Sequence, residues 1–86
     1  MYEVKLSSFA SKFYSSSNII ITKKLSKCFE SLEVNPYNSN NIKRLSGKLG
    51  NCFRYRIGDY RVIYSVDESN KIVEILSIKH RKDAYK

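Results

Sequence analysis

The 86-residue sequence predicts a single α+β domain spanning residues 1–86. An N-terminal strand and a two-helix hairpin are followed by a three-stranded antiparallel meander, with the helices packed on one face of the sheet. Three patterns predict this layout. Residues 53–66 alternate apolar and polar side chains around a Gly-Asp turn, as a β-hairpin does. Residues 19–32 carry apolar side chains at helical spacing, and residues 2–6 alternate as a short strand does.

The boundaries of the two predicted helices rest on capping residues. Ser7 or Ser8 can cap the first helix, and Ser17 or Asn18 can cap the second, because these side chains accept hydrogen bonds from N–H groups of the first turn. Asn35-Pro36 ends the second helix, since the residue before a proline avoids helical geometry.

Two segments flank the predicted hairpin. Residues 42–51 contain two glycines and several polar or charged side chains, so we interpret them as a connector with its own basic patch. Residues 71–78 carry apolar side chains at odd and even positions in places, so both faces of the strand are partly apolar. This pattern is typical of a strand in the middle of a sheet.

The hairpin predicts the candidate functional surface. With Gly58-Asp59 as a two-residue turn, Arg56 pairs with Arg61, and the face that carries them also carries Arg54. The opposite face is apolar. Like charges directly across a ladder are destabilising by about 0.2–1 kcal/mol. Because the fold does not require this cost and a bound anion would remove it, we expect the arginine face to bind an anionic ligand.

The charge distribution also points to an anionic partner. The net charge is +8, from 16 Lys and Arg against 8 Asp and Glu. Residues 1–42 hold five basic and three acidic side chains, whereas residues 43–86 hold eleven and five. The excess lies in the half that contains the hairpin, which favours nucleic acid or an acidic protein as partner. A basic domain whose charge serves only solubility is the alternative.

The two cysteines, Cys28 and Cys52, indicate a cytosolic protein. A small secreted domain usually has more cysteines, and the sequence has no signal peptide and no apolar run long enough to span a bilayer. Two thiols and one histidine do not make a metal site of the usual spacing. We therefore expect reduced, structural cysteines, no metal, no cofactor and no membrane contact.

Three stretches together resemble the RelE/ParE toxin superfamily: the connector Arg-Leu-Ser-Gly-Lys-Leu at 44–49, the hairpin Phe-Arg-Tyr-Arg-Ile-Gly-Asp-Tyr-Arg-Val-Ile-Tyr at 53–64, and the tail His-Arg-Lys-Asp-Ala-Tyr at 80–85. The resemblance implies the RelE-like fold and the toxin half of a bacterial or archaeal toxin–antitoxin pair. The RelE branch of this superfamily cuts messenger RNA in the ribosomal A site, and the ParE branch poisons DNA gyrase. The implied partners are a cognate acidic antitoxin, the ribosome and mRNA.

The resemblance also implies residue roles. Arg61 and Arg81 match arginines that hold and neutralise the scissile phosphate, and Tyr85 matches a C-terminal aromatic that orients or stacks on the RNA. Arg54 and Arg56 fall where the best-known members have lysines credited with proton transfer. Arginine is effectively always protonated, so it holds phosphate well but transfers protons poorly.

His80 lies where some relatives carry histidine, and an unperturbed histidine has a pKa near neutrality. The predicted catalytic residues are Arg56, Arg61, His80, Arg81 and Tyr85. The predicted RNA-binding residues are Arg54, Lys43, Lys48, Lys79 and Lys82.

These residues suit metal-free RNA cleavage, in which a 2′-hydroxyl attacks the adjacent phosphate. The reaction needs a proton acceptor, a proton donor and positive charge for the phosphorane. Two alternatives stay open at this point. One is a gyrase inhibitor without chemistry of its own, and the other is a decayed toxin that only binds its antitoxin.

Overall fold

A computed structural model describes residues 1–45 and 52–82 of the chain. Within these ranges the elements are β1 (Glu3–Leu6), α1 (Ser8–Ser16), α2 (Ile19–Val34), β2 (Ile42–Arg44), β3 (Cys52–Ile57), β4 (Tyr60–Asp67) and β5 (Ile72–His80). The predicted order of strand, two helices and three-stranded meander is confirmed, and one further strand, β2, is added to it.

The described strands form one sheet in the order β1-β5-β4-β3-β2. β1 pairs with β5 in parallel, and the other neighbours are antiparallel. β5 therefore lies between β1 and β4, as its apolar character at both parities predicted.

The interpretation of residues 42–51 as a connector is wrong for its first three residues. Ile42–Arg44 form β2, which pairs with β3 so that Lys43 lies opposite Arg54. A three-residue strand with two charged side chains shows too little alternation to be recognised in the sequence. Residues 46–51, which include Lys48, lie outside the described residues.

The predicted register of the β3–β4 hairpin is confirmed. Arg56 pairs with Arg61 and Ile57 with Tyr60, across the turn at Gly58 and Asp59. Gly58 has a φ of 52°, a conformation that a residue with a side chain rarely adopts. This turn therefore depends on glycine.

The predicted helix caps are also confirmed. The Ser7 hydroxyl accepts a hydrogen bond from the Ala10 N–H at 3.2 Å, and the Asn18 side chain accepts one from the Ile21 N–H at 3.0 Å. α2 ends at Val34, next to Asn35-Pro36. None of the described helices is long and apolar enough to cross a membrane.

The core lies between the helices and one face of the sheet. Its members come from both helices and from β3, β4 and β5: Ala10, Leu25, Cys28, Leu32, Phe53, Val62, Tyr64, Val66, Val73, Ile75 and Ile78. The apolar face predicted for the hairpin is the face that is buried. Both cysteines are free and buried, and burial raises the pKa of the Cys28 thiol to about 12.

A carboxylate joins three separate segments at the edge of this core. Glu68, in the β4–β5 turn, accepts hydrogen bonds from the Lys71 ammonium, from the Tyr37 hydroxyl at 2.5 Å and from the Tyr2 hydroxyl at 2.7 Å. These bonds, with the Lys71 bond the largest cause, lower the pKa of Glu68 to about 2. Glu68 thereby links the N-terminus, the segment after α2 and the last turn of the sheet.

Tyr64 provides a test of the core. It is fully buried in β4, and its hydroxyl donates a 2.7 Å hydrogen bond to the Pro36 carbonyl. We expect Tyr64→Phe to lower the free energy of unfolding by about 1–3 kcal/mol, because the buried carbonyl loses its partner. Tyr14→Phe is the control, since the Tyr14 hydroxyl bonds to the Ser26 hydroxyl at a position that is only partly buried. Denaturant unfolding measures both variants, and an equal loss for the two would contradict the role of Tyr64.

Candidate nucleic-acid interface

The face of the sheet opposite the helices carries a group of cations near the hairpin. Side chains alternate between the two faces of a strand, so the residues between buried core positions point away from the helices. The cations among them on β2, β3, β4 and β5 are Lys43, Arg54, Arg56, Arg61 and Lys79. We call this group the basic face.

The strand register places these cations directly opposite one another. Arg61 pairs with Arg56 on one side and with Lys79 on the other, so three neighbouring strands contribute one continuous row. In the next row Arg54 pairs with Lys43. The second row continues through Ile63 and Ser77, so neither row contains an acidic residue. The register that the hairpin sequence predicted is thus confirmed, and like charges directly opposite one another are generally destabilising in a ladder.

A shallow cavity of about 250 Å³ opens on the basic face. It is lined by Leu45, Arg54, Arg61, Ile63, Ser77 and Lys79. Three cations and a hydroxyl thus surround a cavity whose remaining members, Leu45 and Ile63, are apolar. This combination suits a ligand that has an anionic group beside an apolar surface, as a nucleotide has.

Arg54 has a larger part in this cavity than the sequence indicated. Its side chain is half-buried, and its Nε atom is buried without a hydrogen-bond partner among the described residues. A buried donor without a partner costs about 1–3 kcal/mol. An anion in the cavity would accept that hydrogen bond and remove the cost.

The structure does not bring His80 to the basic face. His80 follows Lys79 in β5, so its side chain points to the helix side of the sheet. Its ring meets the Tyr60 ring edge-on at 5.1 Å between centroids, and its Nδ1 accepts a hydrogen bond from the Lys82 N–H at 3.2 Å. The predicted proton carrier His80 and the predicted phosphate-binding residue Arg61 therefore lie on opposite faces of the sheet.

Arg81 and Lys82 follow β5 and lie beside the hairpin turn. The Arg81 N–H donates a hydrogen bond to the Asp59 carbonyl, and both side chains are exposed. Arg81 is thus near the end of the basic face but does not line the cavity. Tyr85 and Lys48 lie outside the described residues, so their predicted roles stay predictions.

Sequence reasoning missed the members of the cavity that carry no charge. Ile63 gave a signal, because it interrupts the alternation of β4 by placing an apolar side chain on the polar face. Leu45 and Ser77 gave none. In the described ranges no group of three His, Cys, Asp or Glu side chains could hold a metal ion.

The family model for the ParE toxin of type II toxin-antitoxin system, parDE, matches residues 5–85. The chain therefore belongs to this family, within the RelE/ParE superfamily, and is the toxin of a type II toxin–antitoxin system.

Individual relatives agree with this assignment. The chain is 39% identical over 66 residues to "Putative toxin RelE1" of Methanocaldococcus jannaschii, across 74% of this chain and 72% of that protein. The archaeal RelE-RelB complex from Pyrococcus horikoshii superposes with a TM-score of 0.81 at 32% identity, covering 93% of this chain and 94% of that one. The RelBE2 toxin-antitoxin complex from Mycobacterium tuberculosis gives 0.80 at 26% identity, covering 93% and 98%. The RelE-like fold is thus confirmed.

The row of cations can be tested without any ligand. We expect Arg56→Gln to raise the melting temperature at low ionic strength, because the substitution removes the repulsion across the ladder. The gain should shrink at high salt, where charges are screened. Lys12→Gln is the control. Lys12 is exposed on α1, so this substitution removes the same charge at a position outside the row. Thermal unfolding at both salt concentrations is the measurement. An Arg56→Gln variant that melts lower at both would contradict the interpretation.

Proposed function

We propose that this toxin is a ribosome-dependent endoribonuclease that cuts translated messages in the A site without a metal. The observation that carries the proposal is the cavity of the basic face. Arg54, Arg61 and Lys79 converge there, and the Arg54 Nε has no hydrogen-bond partner among residues 1–45 and 52–82. The likeness to proteins named RelE supports it.

The arrangement suits the electrostatic part of the reaction. The 2′-oxygen forms a bond to the adjacent phosphorus, the bond from phosphorus to the 5′-oxygen breaks, and a proton passes from the 2′-hydroxyl to the surroundings while another reaches the 5′-oxygen. Negative charge accumulates on the phosphorane between these events. Arg61 and Arg54 hold its non-bridging oxygens, since a guanidinium offers a planar fork that matches two oxygens.

The described part of the cavity offers no obvious proton donor or acceptor for the acid–base part of the reaction. Among the described residues, the titratable side chains that line the cavity are two arginines and a lysine, with no histidine and no carboxylate. His80, on the other face, reaches only an RNA that passes around the end of the sheet. We therefore propose that the ribosome supplies the geometry of the substrate, and that naked RNA is cut poorly.

A second function is favoured by one observation. The matching family model is the one for ParE toxins, and the resemblance to that branch implies a gyrase inhibitor that performs no chemistry. An inhibitor that performs no chemistry has no need of a cavity in which two arginines and a lysine converge, so we rank this function second.

The first function predicts which substitutions abolish cleavage. We expect Arg61→Ala to lower the cleavage rate on programmed ribosomes by about 10²–10³, the usual loss for one preorganised charge donor. We expect a similar loss for Arg81→Ala, because the resemblance to the family assigns Arg81 to the phosphate, although Arg81 does not line the cavity. Arg61→Lys should be partly active, because lysine keeps the charge and loses the fork. Mapping of 5′ ends on a translated message gives the cleavage sites and rates.

Thermal melting of each variant shows whether a loss of cleavage comes from unfolding. Lys12→Ala is the control for the loss of an exposed positive charge. Two well-folded alanine variants that cut at near wild-type rates would show that the catalytic assignment is wrong. Intact messages together with inhibited gyrase would establish the second function.

We further propose that a cognate acidic antitoxin covers an apolar groove between α1 and β5. The groove, of about 390 Å³, is lined by Phe9, Phe13, Ser77, Ile78 and Lys79. Phe9 is 80% exposed, which is unusual for a phenylalanine in a chain of this size. The net charge of +8 favours an acidic partner, and the solved relatives named above are complexes of toxin with antitoxin.

The antitoxin proposal predicts a salt-dependent complex that also depends on Phe9. We expect the affinity to fall as salt rises, because the attraction between the two charges is screened. Phe9→Ala should weaken binding without lowering thermal stability. Ile19→Ala is the matched control, since Ile19 is 67% exposed but lies outside the groove. Calorimetric titration measures the affinity, and a complex indifferent to salt would contradict the electrostatic part.

A further inference from the structure

A second basic cavity lies between α2 and the edge of β3. Its volume is about 290 Å³, and it is lined by Lys24, Lys27, Cys28, Asn41, Tyr55, Arg56, Ile57 and Gly58. We call it the lysine cleft. Of the described residues that line it, three are cations and none is acidic. No role proposed above uses the two lysines.

The fold fixes the position of the two lysines. Lys24 and Lys27 are three residues apart on α2, so they lie on the same side of the helix, about one turn from each other. Leu25 and Cys28 are buried next to them in the sequence and hold α2 against the sheet. The lysines are exposed beside this anchor, facing β3.

The β3 side of the cleft is open because β2 is short. The last residue of β3 that pairs with β2 is Tyr55, opposite Ile42, and the Arg56 N–H donates a 2.9 Å hydrogen bond to the Asn41 carbonyl. Beyond this bond the cleft meets the hairpin turn at Gly58. Arg56 and the two lysines thus border one opening, and Asn41 and Tyr55 add neutral hydrogen-bonding side chains.

The lining suits a phosphate rather than a protein segment. A peptide helix or strand that binds a groove needs apolar contact. The lysine cleft provides little apolar surface for such contact, because Cys28 is only 2% exposed and most other lining residues are polar or cationic. The apolar groove at Phe9 and Phe13 has the opposite character and suits the protein partner.

Arg56 connects the lysine cleft to the basic face. It lines the cleft and also pairs with Arg61, which lines the cavity proposed to hold the scissile phosphate. Cations therefore continue from the basic face across the edge of β3 to α2. We propose that the lysine cleft binds a backbone phosphate of RNA at a position away from the bond that is cut. The location of that bond rests on the proposed function, whereas RNA binding at the cleft does not.

The test compares two double variants of equal charge. Lys24→Gln with Lys27→Gln removes both lysines of the cleft. Lys12→Gln with Lys23→Gln removes two exposed lysines of α1 and α2 that do not line it. All four are exposed, and melting curves check that both variants fold like wild type. Binding is measured, without any cleavage readout, to a single-stranded oligonucleotide and to vacant ribosomes over a range of salt concentrations.

We expect the cleft variant to bind RNA more weakly than the control variant. The slope of log K against log salt should flatten by about 0.7 for each lost contact to a single strand. A loss on the oligonucleotide identifies the strand that is cut as the ligand, and a loss on vacant ribosomes alone identifies ribosomal RNA.

Two outcomes would overturn the proposal. Equal loss of RNA binding in both double variants would mean that only net charge matters. Unchanged RNA binding in the cleft variant, with weaker binding to poly-glutamate, would assign the cleft to an acidic protein partner. Because none of these measurements needs cleavage, an inactive wild-type protein would disprove the proposed function and leave the cleft proposal to be decided on its own.

Discussion

The register of the β3–β4 hairpin is the constraint on which the rest of the structure depends. The two-residue turn, with Gly58 at a positive φ, fixes Arg56 opposite Arg61. Since side chains alternate strictly along a strand, a slip of one residue would turn the arginines into the core and expose Phe53 and Tyr55. The same turn therefore determines both which residues the helices cover and which residues form the basic face.

The two faces of this sheet have opposite energetic roles. The helix side is stabilised by burial around Tyr64 and Leu25, both almost inaccessible to solvent. The other side carries rows of like charge and a buried Arg54 Nε that has no partner in the described part of the chain, and features of both kinds are generally destabilising. A bound anion would interact favourably with both features and so turn their unfavourable free-energy contributions into favourable ones. A domain of this size can maintain such a surface only because the opposite face is well packed.

Much of the fold could be predicted from the sequence, because turn residues, caps and alternation are local signals. The hairpin register and the caps at Ser7 and Asn18 are examples. β2 was missed because three residues carry too little pattern. The site was predicted in part: Arg54, Arg56 and Arg61 share a strand face, but His80 is adjacent to Arg81 in sequence and lies on the other face from Lys79. The lysine cleft depends on how α2 packs against β3, which no local pattern reports.

The parallel pairing of β1 with β5 has a consequence for the timing of folding. Glu3–Leu6 of β1 pair with residues 72–75 of β5. β1 therefore cannot pair with its neighbour in the sheet until β5 is present. Contacts of such large sequence separation slow folding, because the loop must close before they form. During synthesis the N-terminal strand leaves the ribosome long before β5 is made. The order in which the chain is made therefore leaves β1 without its neighbour in the sheet until β5 has been synthesised.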